Sequence, residues 1–510
     1  MRFYPNLVRR IVRHKRPLLV VTGGLLLTTA ASAIVIPNLI PFFDPTGLVS
    51  TDNTNGPIDQ NSPFFQSLGT NGRSCSTCHV LGNAMGLSTQ NIQERFLLTR
   101  GRDPLFAAVD GANCPNASSN DPATHSLMLE NGLVRIPLQL PATTQFTIRS
   151  MVDPYGCAIE TDNSSGFETV SVYRRPLPTT NLRFLSTIMF DGRETIAPLN
   201  SAETFQTNLV NDLMHQAVDA TNIHAQAATP PTTEQQTAIV NFELGLFSAQ
   251  LWDNQAGLLS GTGAQGGALN LSEATYYPAI NDTLGADPTG APFNSTGMTL
   301  FAPWENLTYE NGRDKSRVEA RKMIAAGEKL FNSRALTITS VRGLNDNATL
   351  AKALGVSLPI RSFPGTCTTC HDTPNVGDHS VALPLDIGTG HDPGMETDPQ
   401  IALGLAQLSF PRLPVYEITG CSDPFATPGQ SSTPYVIYTT DPGKSLITGN
   451  CSDVNRIKGP VLRGLAARAP YFHNGAARDL SELLDFYNQR FQMNLTAEEK
   501  AQLTAFLNSL

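Results

Sequence analysis

Two short cysteine runs carry the most specific chemistry in this chain. Cys75-Ser76-Thr77-Cys78-His79 and Cys367-Thr368-Thr369-Cys370-His371 share the spacing Cys-x-x-Cys-His. Two thiols three positions apart can each form a thioether to a vinyl group of one haem, and the adjacent imidazole then reaches the iron from the proximal side. A redox pair or half of a zinc site are the rival chemistries. Zinc prefers two such pairs close together, whereas these lie 292 residues apart. The spacing therefore predicts two covalently bound haem c groups, with His79 and His371 as iron ligands.

Four cysteines remain: Cys114, Cys157, Cys421 and Cys451. In an oxidising compartment an even number suggests disulfides. Pairing sequence neighbours, 114 with 157 and 421 with 451, is one of three connectivities. The alternative is buried free thiols.

The N-terminus bears on the compartment. Arg2, Arg9, Arg10, Arg13, Lys15 and Arg16 precede the apolar run Leu18–Ile36, which contains Ala31-Ser32-Ala33. A basic region, an apolar region and a small-residue triplet read as a secretory signal peptide over residues 1–36. The alternative is an uncleaved anchor, because the uncharged stretch 17–43 is long enough to span a bilayer. Either way the body is exported, to the periplasm or beyond, and a membrane is touched only through this segment if it stays uncleaved. Without those six charges, 29 basic residues face 44 acidic ones, so a nucleic-acid partner is excluded on charge.

The elements that must position the cysteine runs are less legible. The chain has 510 residues, 40% hydrophobic and 15% charged, with 40 Gly and 36 Pro. That is too apolar for a disordered chain and too rich in turn formers for a coiled coil. Asp44–Pro63 reads as extended, and Ala256–Gly297 as a surface excursion rich in Gly, Thr, Asn and Pro. Glu319–Asn332 has helical texture, with Met323, Gly327, Leu330 and Phe331 on one face. At the C-terminus, Thr496 and Glu499 form a capping-box pattern ahead of Leu503, Phe506, Leu507 and Leu510. The expected fold class is mainly α: two cytochrome-c-like haem domains with long loops and insertions, over 50–315 and 316–510.

Several stretches resemble a known family. Gly459-Pro460-Val461-Leu462-Arg463-Gly464 and Ala469-Pro470-Tyr471-Phe472-His473-Asn474-Gly475, followed by a Leu-rich helix, look like the C-terminal signature of bacterial di-haem cytochrome c peroxidases and MauG-type enzymes. Phe190-Asp191-Gly192-Arg193-Glu194 resembles their aromatic-Asp-Gly-Arg segment, and Ala326–Phe331 the start of their second haem domain. The resemblance implies an N-terminal haem for peroxide chemistry and a C-terminal haem for electron transfer. It implies that His473 and Arg463 lie near the haem edge and propionates. Phe190 stands where many relatives have an inter-haem Trp, and Phe serves only as a tunnelling medium. Relatives often hold calcium between the haems. Here the corresponding region reads Arg174-Arg175-Pro176, and since arginine cannot ligate a cation, calcium stays open but is argued against.

The sixth iron position decides the function. For the C-terminal haem the family resemblance points to Tyr487, where peroxidases carry Met and MauG-type members Tyr. Tyr487 as a core aromatic is the plain alternative, and Met493, Met395, His379 and His391 are weaker ligand candidates. For the N-terminal haem, 80–106 contains no His, and Met85 is too close to His79 to reach the opposite face, so an open five-coordinate iron is expected. In relatives a Gln-Ala pair is followed about ten residues later by a distal Glu that moves protons during O–O cleavage. Gln216-Ala217 fits the pair, and counting on reaches Gln226, an amide that takes up no proton at neutral pH. His224 is the candidate substitute, against the alternative that both lie on a surface loop.

Together these residues predict an exported oxidoreductase that turns over peroxide or oxygen and takes electrons from a small redox protein or a quinol-linked donor. The rivals are a non-catalytic electron-transfer cytochrome, and an oxygenase whose pocket for an organic substrate is shaped by residues 230–300.

Overall fold

The computed structural model describes residues 35–115, 117, 120–157, 159–162, 167–195, 202–308, 314–371, 383–426 and 435–510. All but the last residues of the leader and the candidate ligand His379 lie outside them. Among the described residues no helix is long and apolar enough to cross a membrane.

Both cysteine runs fold into the same local unit. Each first cysteine opens a single 3-10 turn, Cys75–Thr77 and Cys367–Thr369. Ser74 and Thr366 begin these turns, and their backbone N–H groups donate to the hydroxyls of Thr77 (3.0 Å) and Thr369 (2.9 Å). The amides of His79 and His371 then reach back to the carbonyls of Cys75 and Cys367, at 3.0 and 2.9 Å. Hydroxyl residues before and within each run thus satisfy the backbone of a turn too short to do so itself. The consequence is that both thiols and the imidazole of each run are presented together.

The second run rests on two long helices, Lys315–Ser333 and Ala497–Asn508. The C-terminal one begins with the expected capping box of Thr496 and Glu499, and Leu503, Phe506, Leu507 and Leu510 are all buried. Gly327 lets the two helices meet, since a Cβ there would lie 2.0 Å from the Gln502 carbonyl oxygen. Gly327 and Phe331 face inward as expected. Met323 does not: it is exposed, and Ile324 and Ala325 take the inner face instead.

The expected mainly α architecture is corrected to a mixed one. Helices are accompanied by small antiparallel sheets, among them Gly47–Asn53 on Leu246–Asp253, Val134–Gln139 on Phe167–Arg174, and Thr147–Val152 on Val415–Thr419. The first and last of these pairings join segments some 200 and 270 residues apart, so no local pattern announces them. The segment 256–297 is also more than a surface excursion. Ala256, Leu259, Ala264 and Leu271 are buried. The Thr283 hydroxyl donates to the Thr369 carbonyl at 2.8 Å, and the Thr368 hydroxyl to the Ser295 carbonyl at 2.9 Å, so this segment braces the second cysteine run. Cys114 bonds to Cys157 and Cys421 to Cys451, the sequence-local pairing. Cys75, Cys78, Cys367 and Cys370 form no disulfide.

Candidate functional site

Each Cys-x-x-Cys-His run opens onto a cavity of its own. The first, about 1050 Å³ including its mouth, is lined by Cys78 and His79; the second, about 1650 Å³, by Cys367, Cys370 and His371. Burial pushes the Cys75 and Cys367 thiols up to about 12 and Cys78 up to about 11. These are poor thiolates, unlike the activated thiols of redox pairs.

His79 is oriented by its neighbours. Its Nδ1–H donates to the Met85 carbonyl at 3.3 Å, an oxygen that also accepts the Thr179 N–H at 3.0 Å. That leaves Nε2 available, the arrangement a metal-ligating histidine needs. Burial lowers its pKa to about 4, partly opposed by the Met85 hydrogen bond. Met85 itself is buried in one apolar cluster with Phe64 and Phe242 and does not line the cavity, so it is no candidate for the opposite face.

His224 lines the same cavity as His79, together with Gln216. The helix Ala202–Ile223 delivers both: its Leu209, Leu213 and Ala217 are buried, and His224 extends it by one hydrogen bond to the Ala220 carbonyl, at 2.9 Å. The His224 Nδ1–H donates to Asp110, a buried carboxylate that also pairs with Arg73. Burial opposes ionisation of Asp110, but the His224 hydrogen bond and the Arg73 charge outweigh it and hold the carboxyl below the usual range. A histidine fixed in this way keeps its second nitrogen for proton transfer. Gln226 does not join it. With φ at +53° it turns out of the helix and is exposed beside Asn71, because the chain has already left the cavity two residues after His224.

In the second cavity His371, Tyr487 and Met493 come together, with His473 on the wall. The helix Leu480–Arg490 carries Tyr487, capped by Asp479, whose carboxylate accepts the Glu482 N–H at 3.0 Å. The tyrosine ring stacks on Phe491 at 5.8 Å, and burial raises the phenol above its ordinary range. Of the weaker ligand candidates, Met395 is exposed. His391 has both ring nitrogens engaged, by Asp386 at 2.9 Å and by Glu396. His473 is buried with Nε2 lacking a hydrogen bond, 3.6 Å from Asp441. Burial outweighs that carboxylate and lowers its pKa to about 4, so it is neutral. Arg463 is buried but lines neither cavity.

One wall belongs to both cavities. Arg175, Pro176, Leu177, Pro178, Phe190 and Lys458 line each of them. Phe190 lies 6.1 Å from the His473 ring, edge on. Behind this wall Arg174 is gripped by Asp441, through Nε at 2.6 Å and Nη2 at 2.8 Å, and by Asp191 at 2.5 Å. Asp191 is the acid of the Asp-Gly-Arg segment, so that motif serves here to hold a buried guanidinium. Sequence reasoning missed Arg468 in the second cavity, and Arg175 and Lys458 in both. It also missed Glu243, which lines the first cavity, is pushed up to about 7 by burial, and accepts the Thr179 hydroxyl at 2.8 Å. Glu243 is the single residue of the stretch 230–300 that lines either cavity.

The residues present fit haem. Each pair of free thiols lies beside an imidazole at the edge of a large cavity, and arginines without acidic partners wait on its wall.

Comparison with known proteins adds a direction. The chain is similar to the cytochrome-c peroxidase IdrP2 of Denitromonas iodatirespirans, 31% identical over 153 residues, or 29% of this chain and 36% of that protein. It is similar to IdrP1 of the same organism, also named a cytochrome-c peroxidase, at 25% over 41% of this chain and 55% of that one. A cytochrome c551 peroxidase of Nitrosomonas europaea is 34% identical over 79 residues, 15% of this chain and 23% of its own. The chain thus spans between about a quarter and about half of the length of these relatives. No protein-family model and no solved structure matches it.

Proposed function

We propose that this chain is a protein of the bacterial cytochrome c peroxidase type, to which the similar stretches of named peroxidases point, and that it is an exported di-haem oxidoreductase that reduces peroxide. Residues 50–315 would carry the haem at which peroxide reacts, and 316–510 the haem that relays electrons from a small redox protein or a quinol-linked donor. The observation that carries this reading is the pairing of His79 with His224 in one cavity and of His371 with Tyr487 in the other. Two unlike cavities suit a division of labour.

When bound, haem iron supplies the redox chemistry. Cys75, Cys78, Cys367 and Cys370 would hold the two groups as thioethers, and His79 and His371 would ligate iron. On the open side of the first cavity, His224 would accept a proton from one peroxide oxygen and return it to the other, since O–O cleavage needs both transfers. Asp110 keeps the imidazole in the tautomer and orientation for that exchange. Gln216 offers an amide that donates and accepts hydrogen bonds, which suits the orientation of a small polar substrate. In the second cavity Tyr487 would close the sixth position, leaving that site to electron transfer. Phe190 and the prolines beside it make a short apolar partition between the two. Calcium is not part of the proposal, because the buried carboxylates Asp191 and Asp441 are already balanced by Arg174 and Arg193.

The deciding experiment is a pyridine haemochrome titration joined to a steady-state assay of hydrogen-peroxide reduction. Two haems per chain and peroxide-dependent oxidation of a reduced donor are expected. One haem per chain, or two haems without turnover, would defeat the proposal.

A further inference from the structure

Buried charges in folded proteins are paired or satisfied by other charged groups, and this chain follows that rule at Arg73 and Arg174. Arg490, at 0% exposure, donates only to carbonyls, but it lines neither cavity; two arginines of the cavity walls also break the rule. Arg175 is 8% exposed, and its guanidinium donates only to carbonyls: those of Leu87 (2.5 Å), Arg468 (2.8 Å) and Asn131 (3.2 Å). Arg468 donates to the carbonyls of Val461 and Arg463, and its buried Nε has no partner. Among the described residues neither forms an ion pair. The two are close enough to oppose each other: burial first, and then the Arg468 charge, lower Arg175 to about 9. The place for Arg175 is made by Gly132, where a Cβ would lie 2.5 Å from Nη1. A cradle built for a cation, with a second cation beside it and no anion, lacks a negative ligand.

We infer that Arg175 and Arg468 form an anion site for porphyrin carboxylates, with Arg175 serving the groups in both cavities and Arg468 the group in the second alone. This rests on the di-haem reading. The assignment follows from placement, since Arg175 lines both cavities and Arg468 only the second. Propionates are the carboxylates a haem brings into such a wall, and a planar guanidinium binds them in a forked, charge-assisted way. Arg175 thereby fixes the two groups relative to one another and holds a positive charge beside both.

The test is spectroelectrochemistry of the holoprotein in Arg175→Gln, Arg468→Gln and Arg175→Lys. Removing a nearby positive charge disfavours the ferrous state, so the midpoint potential falls. Arg175→Gln is expected to lower both potentials, by about three- to tenfold in the ferric-to-ferrous equilibrium, tenfold being 59 mV for one electron. Arg468→Gln is expected to lower only that of the second haem, and Arg175→Lys to restore most of the loss. Equal displacement in the Gln and Lys variants would show packing rather than charge and overturn the inference. So would parental potentials in both Gln variants of a protein that carries two haems. A parent protein with a single haem would overturn the di-haem reading and this inference together. If Arg175→Gln does not fold, Arg468→Gln decides the matter on the second haem.

Discussion

Replacing His224 by alanine removes the one histidine that shares the first cavity with His79. General acid–base groups contribute about 10²- to 10⁴-fold in rate. The His224 side chain is 41% exposed, so water reaches it and can carry part of the proton traffic in its absence. The loss is therefore expected near the lower end, about 100-fold in kcat/KM, or about 2.7 kcal/mol of transition-state stabilisation. The fold is expected to survive, because Asp110 keeps its ion pair with Arg73. The assay is peroxide-dependent oxidation of a reduced donor under steady-state conditions, with haem content measured in each variant. His224→Gln is expected to fail as a rescue, because an amide transfers no proton at neutral pH. Gln226→Ala is expected to cost far less, since Gln226 is exposed beside Asn71. Near-parental rates in both His224→Ala and Gln226→Ala, with haem intact, would refute the proton-transfer role.

Cys75→Ala and Cys367→Ala are each expected to impair attachment of one haem in a haem stain. Cys421→Ala should leave both attached while costing about 2–4 kcal/mol of stability through its lost disulfide, read by urea unfolding. Tyr487→Phe removes the oxygen proposed to ligate and is expected to change the spin state of the second haem; an unchanged spectrum would leave Tyr487 a core aromatic and make Met493 the next candidate. Arg174→Met strands the buried Asp441, leaves Asp191 only Arg193, and is expected to cost about 3–5 kcal/mol at neutral pH. Burial favours the neutral acids, but the Arg174 charge outweighs it and holds Asp191 and Asp441 below the usual range. Their stabilisation is therefore full above the ordinary aspartate pKa of about 3.9 and is lost as pH falls through the depressed folded-state values. The difference between parent and variant should accordingly shrink in acid.

What was legible in the residues was the chemistry that local spacing carries. Both Cys-x-x-Cys-His turns, the sequence-local disulfides and the Thr496 capping box depend on neighbours within a few tens of residues, and all are present. His224 was reached by counting from a motif, and it shares its cavity with Gln216 of that motif. Gln226 was reached by the same count and lies outside, since a count cannot see the backbone turn with φ at +53°. The sheets escaped notice because their strands are short and find partners far along the chain. Arg175 was singled out only as a poor calcium ligand; that it is a cation without an anion depends on Leu87, Asn131 and Arg468, which no spacing rule connects to it. Glu243 was hidden for the same reason, being buried by packing against a distant part of the chain.

The measurement that bears most directly on the central claim is a quantitative electron paramagnetic resonance spectrum of the ferric protein. On the proposed reading, with the first site open at His224 and the second closed by Tyr487, one high-spin and one low-spin haem are expected in equal amounts. Two low-spin signals would mean that both irons are closed by protein ligands, which would contradict a peroxide-reducing site at His79 and favour a cytochrome that only transfers electrons.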